Sequence, residues 1–172
     1  MFAEALKTVP ALNEDGSINV FIETPMGSRH KYGLDPSGLF KISFSLPDGM
    51  FFPFSFGFVP ATTAPDGDPL DVLLLTDAPV PHGCLIDARV LGVLQMENEE
   101  DGAMVRNDRV VAVAKLSRVF DDYEELDAMR SGFAWDMERF FDSYNAMLGR
   151  GFRNVGRGDR AEAQRMLAES MG

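Results

Sequence analysis

The run Asp66-Gly67-Asp68-Pro69-Leu70-Asp71-Val72-Leu73 places three aspartates within six residues. Carboxylates this close repel one another unless water or a cation relieves them. Mg²⁺ takes oxygen ligands and keeps several of its own waters, so a few carboxylates on a stiff turn suit it. Asp66-Gly67 is a turn signal, and Pro69 stiffens the backbone after it. Leu70, Val72 and the leucines after them read as a strand entering a core. The aspartates therefore sit at a loop-to-strand junction, where a rigid base can hold a loop constellation in place. Asp68 and Asp71 would fall on opposite faces of a regular strand; a bend at Pro69 brings them together. The bland alternative, a solvated acidic turn, suits Asp-Gly alone but not three aspartates around a proline ahead of an apolar strand. A calcium EF-hand loop is excluded, because its sixth and twelfth positions need Gly and Glu and here hold Asp71 and Asp77.

Upstream of this run the chain reads as short strands. Ile18 to Thr24 is strand-like and ends at Pro25. Phe40, Ile42 and Phe44 alternate with Leu39, Lys41 and Ser43, and Phe52, Phe54, Phe56 and Phe58 repeat that period of two. Downstream, Leu70 to Leu75 is an apolar run. Cys84 to Met96 is long and β-rich with Gly92 as a bulge, and Val110 to Ala114 closes the series. Beyond about Lys115 the pattern turns helical. Phe133, Met137, Phe140, Phe141, Tyr144, Met147 and Leu148 recur at three- and four-residue steps, with Gly149 as a stop. Gly132 separates this helix from a shorter one near Tyr123 to Arg130, and a last amphipathic helix spans about Arg160 to Met171. Strands followed by helices predict an α+β fold, mainly β: a small barrel with C-terminal helices packed outside.

The chain has 172 residues, 45% hydrophobic and 25% charged, which suits one domain over 1–172. A net charge of −11 argues against nonspecific binding to nucleic acid or to an anionic membrane. An anionic substrate would be repelled too, unless metal ions and local Lys or Arg reverse the field. Cys84 is the single cysteine, so no intrachain disulfide forms, and a reducing compartment fits. Met1-Phe2-Ala3-Glu4-Ala5 lacks a basic region before an apolar stretch, so no signal peptide is expected and the location reads as cytoplasmic. No apolar run approaches the roughly 20 residues that span a bilayer. His30 and His82 with one cysteine match no zinc-ligand spacing.

The order of motifs resembles family I soluble inorganic pyrophosphatases. Asp66-Gly67-Asp68-Pro69-Leu70-Asp71-Val72-Leu73 matches that family's signature of three aspartates. Ile22-Glu23-Thr24-Pro25, Lys31-Tyr32, Val93-Leu94 and Arg109-Val110-Val111-Ala112-Val113 stand in the expected order. Phe52 to Phe58 occupies the place of an aromatic strand, and Phe140-Phe141-Asp142-Ser143-Tyr144 that of a helix supplying a tyrosine. The resemblance implies an OB-like barrel that hydrolyses pyrophosphate, bound as its magnesium complex, with Mg²⁺ as cofactor. It implies that Asp66 and Asp71 bind the metals holding the attacking water, that Asp68 is the base accepting its proton, and that Glu23 binds a substrate-associated metal. Lys31, Arg109 and Tyr144 would contact phosphate oxygens. A homo-oligomer, hexameric in many bacteria, is also implied.

Several positions depart from the family pattern. Gly33 stands where a glutamate is common, Ser43 near an arginine, Phe52 and Phe56 at tyrosines, Ser55 at an asparagine or aspartate, and Asn145 at a lysine. Lys41, Arg150 or Arg153 could compensate for the lost cations. Two further metal-binding aspartates usually lie in the segment from Glu97 to Arg109, which reads as a long acidic loop. Alignment from the following strand puts Asn107 at the second position, and a shift of one residue would put Asp108 there. Asn98, Glu99 or Asp101 could fill the first. With that shift Asp108 joins the metal set. These departures leave a second function to weigh, a phosphate-binding or regulatory protein with weak or no turnover, and the phenylalanine strand leaves a third, an OB-like module that stacks single-stranded bases.

Overall fold

The computed structural model describes residues 2–130 and 132–171. Within these residues, strands and α-helices succeed one another in the order α1 (Phe2–Leu6), β1 (Ile18–Thr24), β2 (His30–Leu34), β3 (Phe40–Ser45), β4 (Ser55–Phe58), β5 (Asp71–Leu75), β6 (Leu85–Glu100), β7 (Ala103–Arg106), β8 (Arg109–Ala114), α2 (Phe133–Met147), β9 (Phe152–Gly158) and α3 (Arg160–Ser170). Strands β1, β4, β5, β8 and β6 pair in that sequence, and β1 pairs back to β6, with Ile18 opposite Ala88. The ring is thereby closed and leaves no edge among these five strands. All its pairings are antiparallel except β5 with β8, where Val72 lies beside Val110. β7 and β9 extend the long β6, and β2 and β3 form a separate hairpin.

The apolar run of β5 does not alternate because both its faces are covered. Val72 and Leu74 join one buried cluster with Ile18, Val20 and Ile22 of β1 and Ala163 and Leu167 of α3. Leu73 and Leu75 face a second cluster with Phe52, Phe54 and the Met137, Phe141 and Tyr144 stripe of α2. A strand buried on two sides needs no polar side. Where β1 crosses β4, a side chain at Gly57 would overlap the Phe21 carbonyl, so only glycine permits that approach. The register of β6 against β8 slips between Val90 and Gly92, the bulge expected at that glycine.

Three segments differ from the sequence reading. The acidic loop is a hairpin: β6 continues to Glu100 and pairs with β7, turning at Asp101 and Gly102, both at positive φ as a two-residue turn requires. The short helix near Tyr123 to Arg130 reduces to one 3₁₀ turn, Leu126–Ala128. Arg89 donates there to the Tyr123 and Asp121 carbonyls, competing with helical hydrogen bonds, while Leu126 and Met129 anchor the segment by burial. Strands β2 and β9 carry few apolar residues, so hydrophobic periodicity does not mark them. The phenylalanines of 52–58 offer no open stacking platform: Phe52 and Phe54 are buried, and Phe52, Phe54 and Phe56 pack against rings of α2.

Candidate active site

The aspartate run is held by its own backbone. Gly67 takes φ +90°, which glycine alone adopts without strain. The Asp68 N–H donates to Asp66 Oδ1 at 3.1 Å, the Ala64 N–H to the Asp68 carbonyl at 2.7 Å, and the Gly67 N–H to the Ala64 carbonyl at 2.9 Å. Behind them the Leu70 N–H donates to the buried Thr62 hydroxyl at 2.9 Å. The Asp68 carboxylate takes no part in this scaffold. Asp71 opens β5, and the run ends in the core two residues later.

Neighbouring strands bring the other groups to the same cleft, a space of about 600 Å³ lined by Glu23, Lys31, Asp66, Asp68, Asp71, Arg109 and Tyr144 among others. The parallel register of β5 and β8 sets Asp71 and Arg109 side by side at the two strand starts, Oδ2 to Nε 3.9 Å. Arg109 is buried. Its Nη1 donates to the Asn107 carbonyl at 2.8 Å and lies 3.4 Å from the Met96 sulfur, and the guanidinium sits 4.5 Å over the Phe141 ring. Tyr144 packs between Phe44, Phe52 and Phe140 and also lines the cleft. Its hydroxyl makes no hydrogen bond among the described residues. Lys31 on β2 likewise has no side-chain partner among them.

Burial raises the pKa of Glu23 above the ordinary carboxylate range; the Leu34 N–H, donating to its Oε1 at 2.9 Å, works against this, and Asp71 adds to it. Burial likewise pushes Asp71 up, opposed by Arg109 and Lys31 and reinforced by Asp66 and Asp68. The Asp71 side chain still exposes 48% of its surface, so it is enclosed by protein yet open to the cleft solvent. Burial pulls Arg109 down, and Asp71 pulls it back.

The donor set fits Mg²⁺. Glu23, Asp66, Asp68 and Asp71 are hard oxygen donors, the class of ligand that Mg²⁺ takes.

Asn98, Asn107, Asn145 and Arg150 also line the cleft, with Asp35 and, near the hairpin turn, Glu100. Asp108 does not line this cleft. It borders a neighbouring smaller cavity, accepting from the Met96 N–H at 3.0 Å and from Arg106 Nη2 at 2.7 Å. Asp108 is thus absent from the lining of the larger cleft but shares the smaller cavity with Asp66, Asp71 and Asn107. Asn98 Oδ1 is buried without a hydrogen-bond partner.

Gly33 and Ser43 line the cleft too, with open space where a Gly33 side chain would stand. Lys41 does not reach this cleft, and Arg153 is bound to Glu97, whereas Arg150 lines the cleft. Ser55 is structural: its hydroxyl accepts the Met26 N–H at 3.1 Å. Sequence reasoning reaches Asn98, Asn107 and Arg150 only as options, because it takes the hairpin for a loop. The hairpin register is the missing signal.

The sequence profile of the family described as inorganic pyrophosphatase matches residues 20–172. The inorganic pyrophosphatase of Thermus thermophilus is 34% identical over 144 residues, covering 83% of this chain and 80% of its own. That of Aeropyrum pernix is 34% identical over 170 residues, covering 96% and 94%. The crystal structure of inorganic pyrophosphatase from Thermus thermophilus superposes with a TM-score of 0.88 at 31% identity, covering 96% of each chain. An inorganic pyrophosphatase from Coxiella burnetii gives 0.84 at 32% identity, covering 95% and 98%.

Proposed function

Since the chain belongs to the inorganic pyrophosphatase family and hydrolyses inorganic pyrophosphate, we propose that it does so in the cleft built on Asp66, Asp68 and Asp71, with Mg²⁺ as the metal. The observation that carries this assignment is the meeting of Glu23, Asp66, Asp68 and Asp71 with Lys31, Arg109 and Tyr144 in one cleft.

Asp66, Asp71 and Glu23 are the groups that would hold the metal. Bound Mg²⁺ supplies an acidified water and charge to offset the phosphate oxygens. Asp68 would accept the proton of the water that attacks phosphorus. Its carboxylate is spared by the turn, and its neighbours Gly67 and Pro69 restrain its backbone. As the P–O–P bond breaks, the leaving orthophosphate carries the electron pair, and Lys31, Arg109 and the Tyr144 hydroxyl donate to the oxygens on which charge develops. Arg109 is held from several sides, so little reorganisation is needed when substrate arrives. Tyr144 combines core packing with a wet polar tip.

The test is phosphate release from pyrophosphate with and without Mg²⁺, comparing Asp68→Asn. The isosteric amide cannot take the proton, and kcat should fall about 10²–10⁴-fold with the melting temperature little changed. A variant as fast as wild type removes Asp68 from the role of base. Two further parts of the proposal rest on family resemblance and on the lone Cys84: a homo-oligomer, a hexamer in the first instance, and a cytoplasmic location. Sedimentation and cell fractionation test them. Among the described residues no helix is long and apolar enough to cross a membrane.

A further inference from the structure

Glu23, Asp66, Asp68 and Asp71 reach the cleft from β1 and from the loop and start of β5, with Lys31 and Arg109 beside them. Amides at Asn98, Asn107 and Asn145, a guanidinium at Arg150 and the carboxylates of Asp35 and Glu100 also line it. The aspartate beside Asn107 is engaged by Arg106 and the Met96 N–H. Glu100 lies near the turn of the hairpin, paired with Ala103.

The arginines nearby sort by availability. Arg106 is bound to Asp108, Arg153 to Glu97, and Arg109 to the Asn107 carbonyl and Asp71. Arg150 comes soon after α2; its backbone N–H donates to the Asn145 carbonyl at 3.1 Å, which fixes where the side chain starts. Its guanidinium has no ion pair or hydrogen bond among the described residues, yet it lines the cleft. An amide carries no charge to neutralise a metal ion, but its N–H₂ donates two hydrogen bonds, and a guanidinium fork matches phosphate oxygens.

We infer that Asn98, Asn107 and Arg150 grip a phosphoryl group of the substrate directly and add no ligand to a metal ion. One end of the pyrophosphate is then read by N–H donors. Asn145 is set apart because one of its two Nδ2 hydrogens is already given to the Phe141 carbonyl at 2.9 Å. The inference rests on the site assignment proposed above and specifies how that site divides its labour.

Two variants test it, each measured in the full chain. For Arg150→Ala, an exposed loop change that spares the core, KM for pyrophosphate at saturating Mg²⁺ should rise about tenfold or more. That is the loss expected for one charge-assisted hydrogen bond to phosphate. Arg150→Lys should restore part of it. For the double variant Asn98→Ala with Asn107→Ala, the number of Mn²⁺ ions bound per chain, counted by equilibrium dialysis with the paramagnetic signal of free ion, should equal wild type while KM rises. A wild-type KM in Arg150→Ala overturns the inference, and so does loss of a bound ion in the double variant, which would make the amide oxygens ligands. Failure of the underlying site assignment looks different: wild type would bind no Mn²⁺, or Asp68→Asn would keep full activity.

Discussion

Phe141 is the residue through which packing and chemistry are joined, and its replacement separates the two. The ring is 1% exposed, lies 5.8 Å from Phe56, 5.6 Å from Phe140 and 6.3 Å from Phe152, and carries the Arg109 guanidinium 4.5 Å above its centroid. Phe141→Ala loses the transfer free energy of a buried ring and leaves a cavity, about 3–5 kcal/mol together. At about 2–4 °C per kcal/mol for a chain of this size, the melting temperature should fall by roughly 6–20 °C. That variant alone does not isolate the platform. Phe141→Leu refills most of the volume and should cost only about 1–2 kcal/mol of stability. It also removes the π face beneath a desolvated guanidinium, worth about 1–2 kcal/mol. If that energy keeps Arg109 aimed at phosphate, kcat/KM should drop about tenfold, since about 1.4 kcal/mol is a factor of ten. Calorimetry and continuous phosphate release at saturating Mg²⁺ supply the two readouts. A leucine variant that melts lower but keeps wild-type kcat/KM would refute the platform role and leave Phe141 as core filler.

Glu23 and Asp71 have pKa values raised in the fold, so the folded chain holds more protons than the unfolded chain once pH exceeds about 4, and stability from these groups falls as pH rises through their folded values. On the proposed site Mg²⁺ binding requires both ionised, so the Mg²⁺-induced rise in melting temperature should grow with pH across that window; a shift independent of pH would remove them from the proposed ion site. The lowered pKa values of Asp15, whose largest cause is Lys115, and of Asp77, whose largest cause is the Ser117 hydroxyl, act in the opposite sense, so their contribution is lost as pH falls. The difference with and without Mg²⁺ isolates the site from them. Gly57→Ala should destabilise by about 2–3 kcal/mol or fail to fold, because the added carbon overlaps backbone rather than a side chain that can swing aside. An unchanged urea midpoint would show that β1 and β4 can separate at no cost.

The parts of the fold written in apolar periodicity are legible in the sequence. β1 has the bounds its residues suggest, the long α2 stripe buries Met137, Phe141 and Tyr144, and α3 starts at Arg160 after an Asp159 cap that accepts the Glu162 N–H. β9 is not legible, because Asn154 and Gly156 fill its inward positions and exposed Arg153 and Arg157 its outward ones. Hydropathy does not mark such a strand; hydrogen bonding to β6 makes it. The acidic run from Glu97 misleads for a related reason: Glu99 and Glu100 are exposed on a hairpin whose turn, not its composition, sets the register. The aspartate run is legible because chemistry demands those residues in that order. The asparagine and arginine group is not, because which of Asn107 and Asp108 faces the cleft depends on a one-residue phase that only the register decides.

The closed ring has a kinetic consequence. Asp71 and Arg109 become neighbours only when β5 lies alongside β8, and the ring shuts only when Ile18 meets Ala88. Both pairings join distant parts of the chain, which slows folding by the entropy of loop closure. The cleft thus cannot assemble before these pairings form. Magnesium should therefore act as a latch: it should slow unfolding and leave the rate of refolding almost untouched.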